Sequence, residues 1–252
     1  YDHPSDDVWH RALELAGLDP AVIPEIRNAG TSWGSARGFD GVQVTVAGHD
    51  HLVAAIGAGV TEPGQMFNSC GTADVLLRVV DRWPDRDSFA RLAPLNISMG
   101  HHPLRRQYVF NVGTKAGLVL GRLHDLLGAI PEDAAPTDSA GAVTVTLPEP
   151  GFDHLEFSLH APTSALVLWN QAMEELVEQS HKNVGVIEDI FGPYSAVVCG
   201  GGWTRAEAVR RMKQAMYRNV SFCEASEPGC LGAALAAKAA GQRPRSAVDR
   251  QQ

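Results

Sequence analysis

The chain has 252 residues, enough for one large domain or two small ones with real cores. Hydrophobic residues make up 44% and charged residues 20%, and the net charge is −8, which argues against a general nucleic-acid binder because phosphate neutralisation needs clustered Lys and Arg. No apolar run approaches the ~20 residues that cross a bilayer, and Tyr1-Asp2-His3-Pro4 is too polar for a signal peptide, so the expectation is a cytoplasmic protein without membrane or nucleic-acid partners.

The chain opens without a methionine, in a polar turn, and reads as the interior of a longer protein. Ser5 is the expected N-cap of a first helix, with Asp6 and Asp7 in its first turn, Val8, Trp9, Ala12, Leu13 and Leu15 as its apolar positions and Gly17 as its stop. An extended stretch with Pro20 and Pro24 leads into a turn region at Gly30, Gly34 and Gly38. Alternation of Val42, Val44 and Val46 predicts a strand that ends at Gly48-His49-Asp50, and Leu52 to Gly59 reads as a small, buried helix. Gln65 to Ser69 and Val75 to Val80 form a predicted hairpin around a tight turn at Cys70-Gly71-Thr72. Tyr108 to Val112 is the next strand, ending at Gly113-Thr114, and the helix after it runs from Lys115 to Leu127 and stops at Gly128.

Residues 129–165 are rich in Pro, Asp and Gly, with strand signal from Val143 to Leu147. A longer helix is expected from Leu166 to Ile190, then a buried strand from Ala196 to Cys199 and the run Gly200-Gly201-Gly202. A helix from Arg205 to Arg218, a strand from Val220 to Cys223 and a small-residue helix from Gly232 to Ala240 complete the pattern, and the polar tail 242–252 is expected to fray. Strands alternating with helices indicate an α/β domain.

The four cysteines, Cys70, Cys199, Cys223 and Cys230, form no C-x-x-C pair and sit in or beside apolar or Gly-rich segments, so they read as buried, reduced thiols rather than a zinc ribbon. Basic residues are scattered except for a short run at Arg205, Arg210, Arg211 and Lys213. His49, His51, His101 and His102 fall short of a full ligand set, so no metal site is assigned, although Asp50 between two histidines leaves a metal-dependent hydrolase as one alternative.

Gly48-His49-Asp50, Ser69-Cys70-Gly71-Thr72 and Gly200-Gly201-Gly202 share one design: a strand runs into Gly together with a small hydroxyl or acidic residue, or into a run of Gly. Glycine lets backbone N–H groups approach an anion, and a helix N-terminus adds a favourable dipole. Neither a Walker A loop nor a G-x-G-x-x-G after a strand is present. In order, Val46-Ala47-Gly48-His49-Asp50-His51, Pro63-Gly64, Ser69-Cys70-Gly71-Thr72-Ala73, Gly113-Thr114-Lys115-Ala116-Gly117, Val198-Cys199-Gly200-Gly201-Gly202 and Glu227-Pro228-Gly229-Cys230-Leu231-Gly232 resemble the C-terminal half of the FGGY carbohydrate kinases, the relatives of xylulokinase and glycerol kinase. The resemblance covers residues 1–241.

It implies the actin-like ATPase (ribonuclease H-like) fold, a mixed sheet flanked by helices, in which two domains close on ATP and sugar. Residues 1–40 would be the closing segment of an N-terminal sugar-binding domain, 41–241 the C-terminal ATP-binding domain and 242–252 a polar tail. Asp50 would be the general base that accepts the substrate hydroxyl's proton; a helix-capping aspartate is the plainer reading of the same residue. The resemblance makes Gly71 and Thr72 the second phosphate loop and Gly113 and Thr114 the next ATP contact; by themselves these read as a hairpin turn and a Thr114 helix cap. Gly200, Gly201 and Gly202 would pass close to adenosine. Trp203 and Arg205 would lie on the adenine side, or Trp203 would be a surface-packed aromatic, and His49 and His51 would bind sugar hydroxyls.

The implied cofactors are ATP and Mg2+, the partner a small sugar or polyol, with a possible homodimer. Two features depart from the family pattern. Its first domain is absent, which predicts no kinase activity for this chain alone, and the stretch 148–166 is shorter than usual. A non-catalytic actin-like nucleotide-binding module stays open as a further alternative.

Overall fold

The computed structural model describes residues 5, 7–95, 97–103, 107–136, 141–147 and 154–241. Asp6, the stretch 148–151 and the tail 242–252, each given a role above, lie outside the described residues.

The first helix is α1 (His10–Ala16), and it begins later than the Ser5 cap predicts. Asp7 explains the delay: its carboxylate accepts the Val8 N–H at 2.6 Å, a local bond that competes with helix formation. Gly17 closes α1 in the left-handed conformation, as its position suggests. Two short antiparallel strands follow, β1 (Ser32–Ser35) and β2 (Gln43–Thr45). β1 falls in the expected turn region. It exists because the Gln43 amide bridges the Ser32 and Ser35 hydroxyls at 2.9 and 3.0 Å, a cross-strand tie that propensity does not reveal.

α2 (Asp50–Gly57) precedes a hairpin of β3 (Gln65–Cys70) and β4 (Asp74–Val80), so Cys70 is the last strand residue rather than part of the turn. Then come α3 (Arg86–Leu92) and the edge strand β5 (Ile97–His101), neither expected, and β6 (Tyr108–Thr114) with α4 (Ala116–Leu127). β7 (Val143–Thr146) pairs with β8 (Glu156–Leu159) beside the 27-residue helix α5 (Ala165–Phe191). The chain finishes with β9 (Ala196–Gly200), α6 (Glu207–Met216), β10 (Val220–Phe222) and α7 (Pro228–Gly241). α6 starts two residues later than predicted because Gly202–Arg205 form a 3-10 turn, and α7 starts four residues earlier because Pro228 fits a first helical turn.

Six strands make one mixed sheet in the order β10-β9-β3-β4-β6-β5. β10, β9 and β3 run parallel, and β4, β6 and β5 continue antiparallel. Alternation along the strands builds two cores. Met66, Cys70, Leu76, Phe110, Val112 and Cys199 face α4, α5 and α6, with Trp169 and Met173 at the centre. Phe67, Val75, Leu77, Val79 and Val109 pack against Ala55 of α2 and Val60 just beyond it. Each large side chain fully buried here contributes about 1.5–3 kcal/mol relative to exposure.

α2 and α7 pack backbone to backbone: a Cβ at Gly57 would collide with the Pro228 carbonyl, and one at Gly232 with that of Val53. Arg78, buried within β4, ties the sheet to the end of α5, since its Nη2 donates to the Gly192 carbonyl at 2.7 Å. Burial lowers its pKa, and the Glu188 carboxylate works against that shift. Cys70 and Cys199 are buried as expected. Cys223 is only half-buried and Cys230 is exposed on α7, so the reading of four buried thiols holds for two.

Candidate functional site

Gly48, His49 and Asp50 sit where β2 gives way to α2, with Pro103 against Gly48. Asp50 is the first residue of α2 rather than the end of an extended strand, and His49 is the N-cap without a side-chain capping bond. Asp50 therefore does not cap the helix; its Oδ1 accepts the His51 N–H at 2.8 Å and lies 2.9 Å from His49 Nδ1. Its side chain is 83% exposed, and Oδ2 has no partner within the described residues. The helix N-terminus favours a negative charge at this position.

The His49 and His51 rings stack at 5.5 Å and 26°, and no three His, Cys, Asp or Glu side chains among the described residues gather as a metal site would require. His101 and His102 are apart from them on β5 and its end. His101 leans on Tyr108, and His102 is buried, which pushes its pKa down to about 4.

The three remaining segments converge at one end of the sheet. The hairpin turn of residues 71–73 is closed by the Gly71 N–H donating to the Ala73 carbonyl at 3.0 Å. Thr72 is exposed at its tip, and no bond within the described residues engages its hydroxyl. Gly113 and Thr114 end β6 directly beside the hairpin, in register with Val75 and Asp74. Thr114 is not the cap of α4, a position Lys115 holds; its Oγ1 lies 3.4 Å from the Asp74 carbonyl, to which it donates, and 3.5 Å from the Ala116 N–H. Gly117, in the first turn of α4, presses on the hairpin so closely that a Cβ would collide with the Gly71 carbonyl.

Gly200 ends β9 opposite Ser69 of β3. Gly201 has φ 113°, a conformation that L side chains rarely adopt, and a Cβ there would lie 2.8 Å from the Cys70 carbonyl carbon. Gly202 has open space where its side chain would be. The hairpin thus touches both the β6–α4 junction and the glycine run through bare backbone. Trp203 is half-buried against the larger core, its ring edge over Gly121, and Arg205 is exposed at the end of the 3-10 turn.

The basic run disperses: Arg210 lies over the Phe222 ring at 3.8 Å, Arg211 donates to the Glu132 and Ala134 carbonyls, and Lys213 is buried. Lys213 Nζ pairs with Asp74 Oδ2, while the Asn68 amide donates to Asp74 Oδ1. Asn68 Oδ1 is in turn 3.3 Å from Cys70 Sγ and 3.9 Å from Cys199 Sγ. Burial opposes the lysine's charge, and the Asp74 carboxylate, helped by Cys70, Tyr217 and Cys199, outweighs it, so its pKa is raised. The Cys70 thiol is pushed up by its hydrogen bond with Cys199 and by burial. A cavity of about 30 Å³, bordered by Asp74, Thr114, Ser180, Lys213 and Tyr217, lies behind the hairpin.

Asn68, Asp74 and Lys213 escaped the sequence reading. Their signals were slight: a carboxylate heading an apolar strand, and a lysine among exposed-looking basic residues.

No family model matches the chain, and no curated protein does. Solved structures do. Among them are the xylulose kinase from Rhodospirillum rubrum (20% identity, TM-score 0.74, covering 96% of this chain and 53% of that one) and the Plasmodium falciparum glycerol kinase with ADP (16%, 0.77, 97% and 53%). The gluconate kinase from Lactobacillus acidophilus is a third (14%, 0.73, 94% and 52%). The chain has the fold of these sugar kinases, the actin-like ATPase fold that its glycine motifs imply. It spans about half the length of these solved structures.

Proposed function

We propose that this chain is the nucleotide-binding half of a kinase that transfers phosphate from ATP to a hydroxyl of a small sugar or polyol. The observation that carries the reading is the convergence of the 71–73 turn, the 113–117 junction and the 200–202 run, with Gly117 and Gly201 seated against the hairpin backbone. In that arrangement Gly71, Thr72, Gly113 and Thr114 hold the phosphates. Gly200, Gly201 and Gly202 pass under adenosine, with Trp203 and Arg205 at its edge. The exposed Thr72 hydroxyl and the open space at Gly202 suit a ligand that approaches backbone closely.

Asp50 accepts the proton of the attacking hydroxyl through its unpaired oxygen, and His49, in contact with its other oxygen, orients it. His49 and His51 contact sugar hydroxyls. Magnesium, carried in with the nucleotide, would supply charge neutralisation at the transferred phosphate. Residues 1–40 close the sugar-binding domain, and the exposed Trp9, Val22, Ile26 and Trp33 support that reading because they need an apolar partner surface. The whole enzyme is placed in the cytoplasm, with homodimerisation open to measurement.

Calorimetry of the purified chain with Mg·ATP, beside Gly201→Trp, tests the nucleotide half. Binding in the parent that the variant loses is the expected result, and no binding in a folded parent removes the reading. In a protein that also carries the other domain, Asp50→Asn abolishes turnover while ATP binding persists. Unchanged turnover would remove Asp50 as the base, and a parent that binds ATP without any turnover would favour a non-catalytic nucleotide-binding module.

A further inference from the structure

We propose that Lys213 is a positioning residue for the nucleotide phosphates, acting through Asp74 to fix the spacing between the phosphate hairpin and the helix that follows the glycine run. The inference rests on the nucleotide-binding reading above. Asp74 is the first residue after the 71–73 turn and is in register with Thr114. Both of its carboxylate oxygens are committed, one to the Asn68 amide and one to the Lys213 ammonium, and its backbone carbonyl accepts from Thr114. Lys213 projects from α6, the helix that the Gly200–Gly202 backbone feeds through its 3-10 turn, and its side chain is 1% exposed. One residue therefore connects all three segments that would meet a nucleotide, through its carboxylate to α6 and through its backbone carbonyl to Thr114.

Stability does not require a charge pair there. Leu76, Val112, Leu176 and Met216 border it on the apolar side and Thr114, Ser180 and Tyr217 on the polar side, and an apolar pair of similar volume generally serves a buried site as well or better. An ion pair with hydrogen bonds adds direction: it permits one register of hairpin against helix, where an apolar contact allows several. The β3–β9 ladder sets the register of Gly200 against Ser69, and Gly201 packs closely on Cys70, but neither contact reaches α6, whose position over the hairpin the ion pair fixes.

Calorimetric affinities for Mg·ATP, Mg·ADP and adenosine, together with thermal midpoints, test this on the parent chain, on Asp74→Leu/Lys213→Met and on the isosteric Asp74→Asn. The expected double variant unfolds at or above the parent's midpoint, binds Mg·ATP and Mg·ADP about tenfold or more weakly, and keeps its adenosine affinity. Folded variants that bind Mg·ATP as the parent does would overturn the inference and leave the nucleotide-binding reading intact. So would equal losses for adenosine and ATP, or failure of both variants to fold, since each assigns the pair to stability alone. A folded parent that binds no Mg·ATP removes the nucleotide-binding reading itself, and this inference with it.

Discussion

Asp74 brings a negative charge into a strand whose neighbours Val75, Leu76 and Leu77 are buried and apolar, and Lys213 answers it from a helix 139 residues away in sequence. Removing one partner strands the other in the core, so Lys213→Met alone should cost about 3–5 kcal/mol in urea unfolding, far more than the double variant. Gly117 and Gly201 are limited by space rather than charge. Gly117→Ala forces α4 away from the Gly71 carbonyl, and we expect a loss of about 1–3 kcal/mol in stability together with weaker Mg·ATP binding by calorimetry.

His102 gives a pH dependence with a definite sign. Its folded pKa, about 4, lies below the ordinary 6.5, so between those values the unfolded chain takes up a proton that the native chain refuses. The contribution is intact above pH 6.5 and is lost as pH falls toward 4. Urea unfolding should show about 2 kcal/mol less stability at pH 5 than at pH 7 from this group, a slope missing in His102→Gln.

At the scale of elements, the α2–α7 pair is the clearest case of sequence chemistry dictating packing. Gly57 and Gly232 let the two helices meet at their backbones, and both lie on the sheet face that also positions Asp50 at the start of α2. Gly232→Leu should lower the thermal midpoint and, in a complete enzyme, reduce turnover more than ATP affinity, because it displaces the helix that carries Asp50 and leaves the hairpin on its own strands. An unchanged midpoint would show that α7 shifts without penalty. β1 and β5 were not legible. β1 depends on hydroxyl bridges from Gln43, and β5 is an edge strand whose one ladder, with β6, is a long-range choice. The hairpin of β3 and β4 was legible, because two apolar runs flank a short glycine turn and local pairing needs no distant partner.

Across the whole molecule, exposed apolar surface is unevenly spread. Trp9, Leu15, Val22, Ile26, Phe39 and Val46, all before α2, are at least half exposed, whereas later in the chain Leu126 and Leu159 are the large apolar side chains exposed to that degree among the described residues. A surface of that kind drives association. The combined changes Trp9→Ser, Val22→Ser and Ile26→Ser should reduce self-association in light scattering while leaving the Mg·ATP affinity of the chain unchanged. Equal scattering in parent and variant would show that this surface is not what brings copies together.

The alternation of strands and helices and the glycine turns were legible in the sequence, because hydrophobic period and turn chemistry act over a few residues and leave a local record; the sugar-kinase fold was what the resemblance of the motifs implied. The strand order and the meeting of Lys213 with Asp74 came only with the tertiary structure. Each depends on segments far apart in the chain, and burial decides which charged groups become partners. A lysine in a basic run reads as solvated until the fold encloses it.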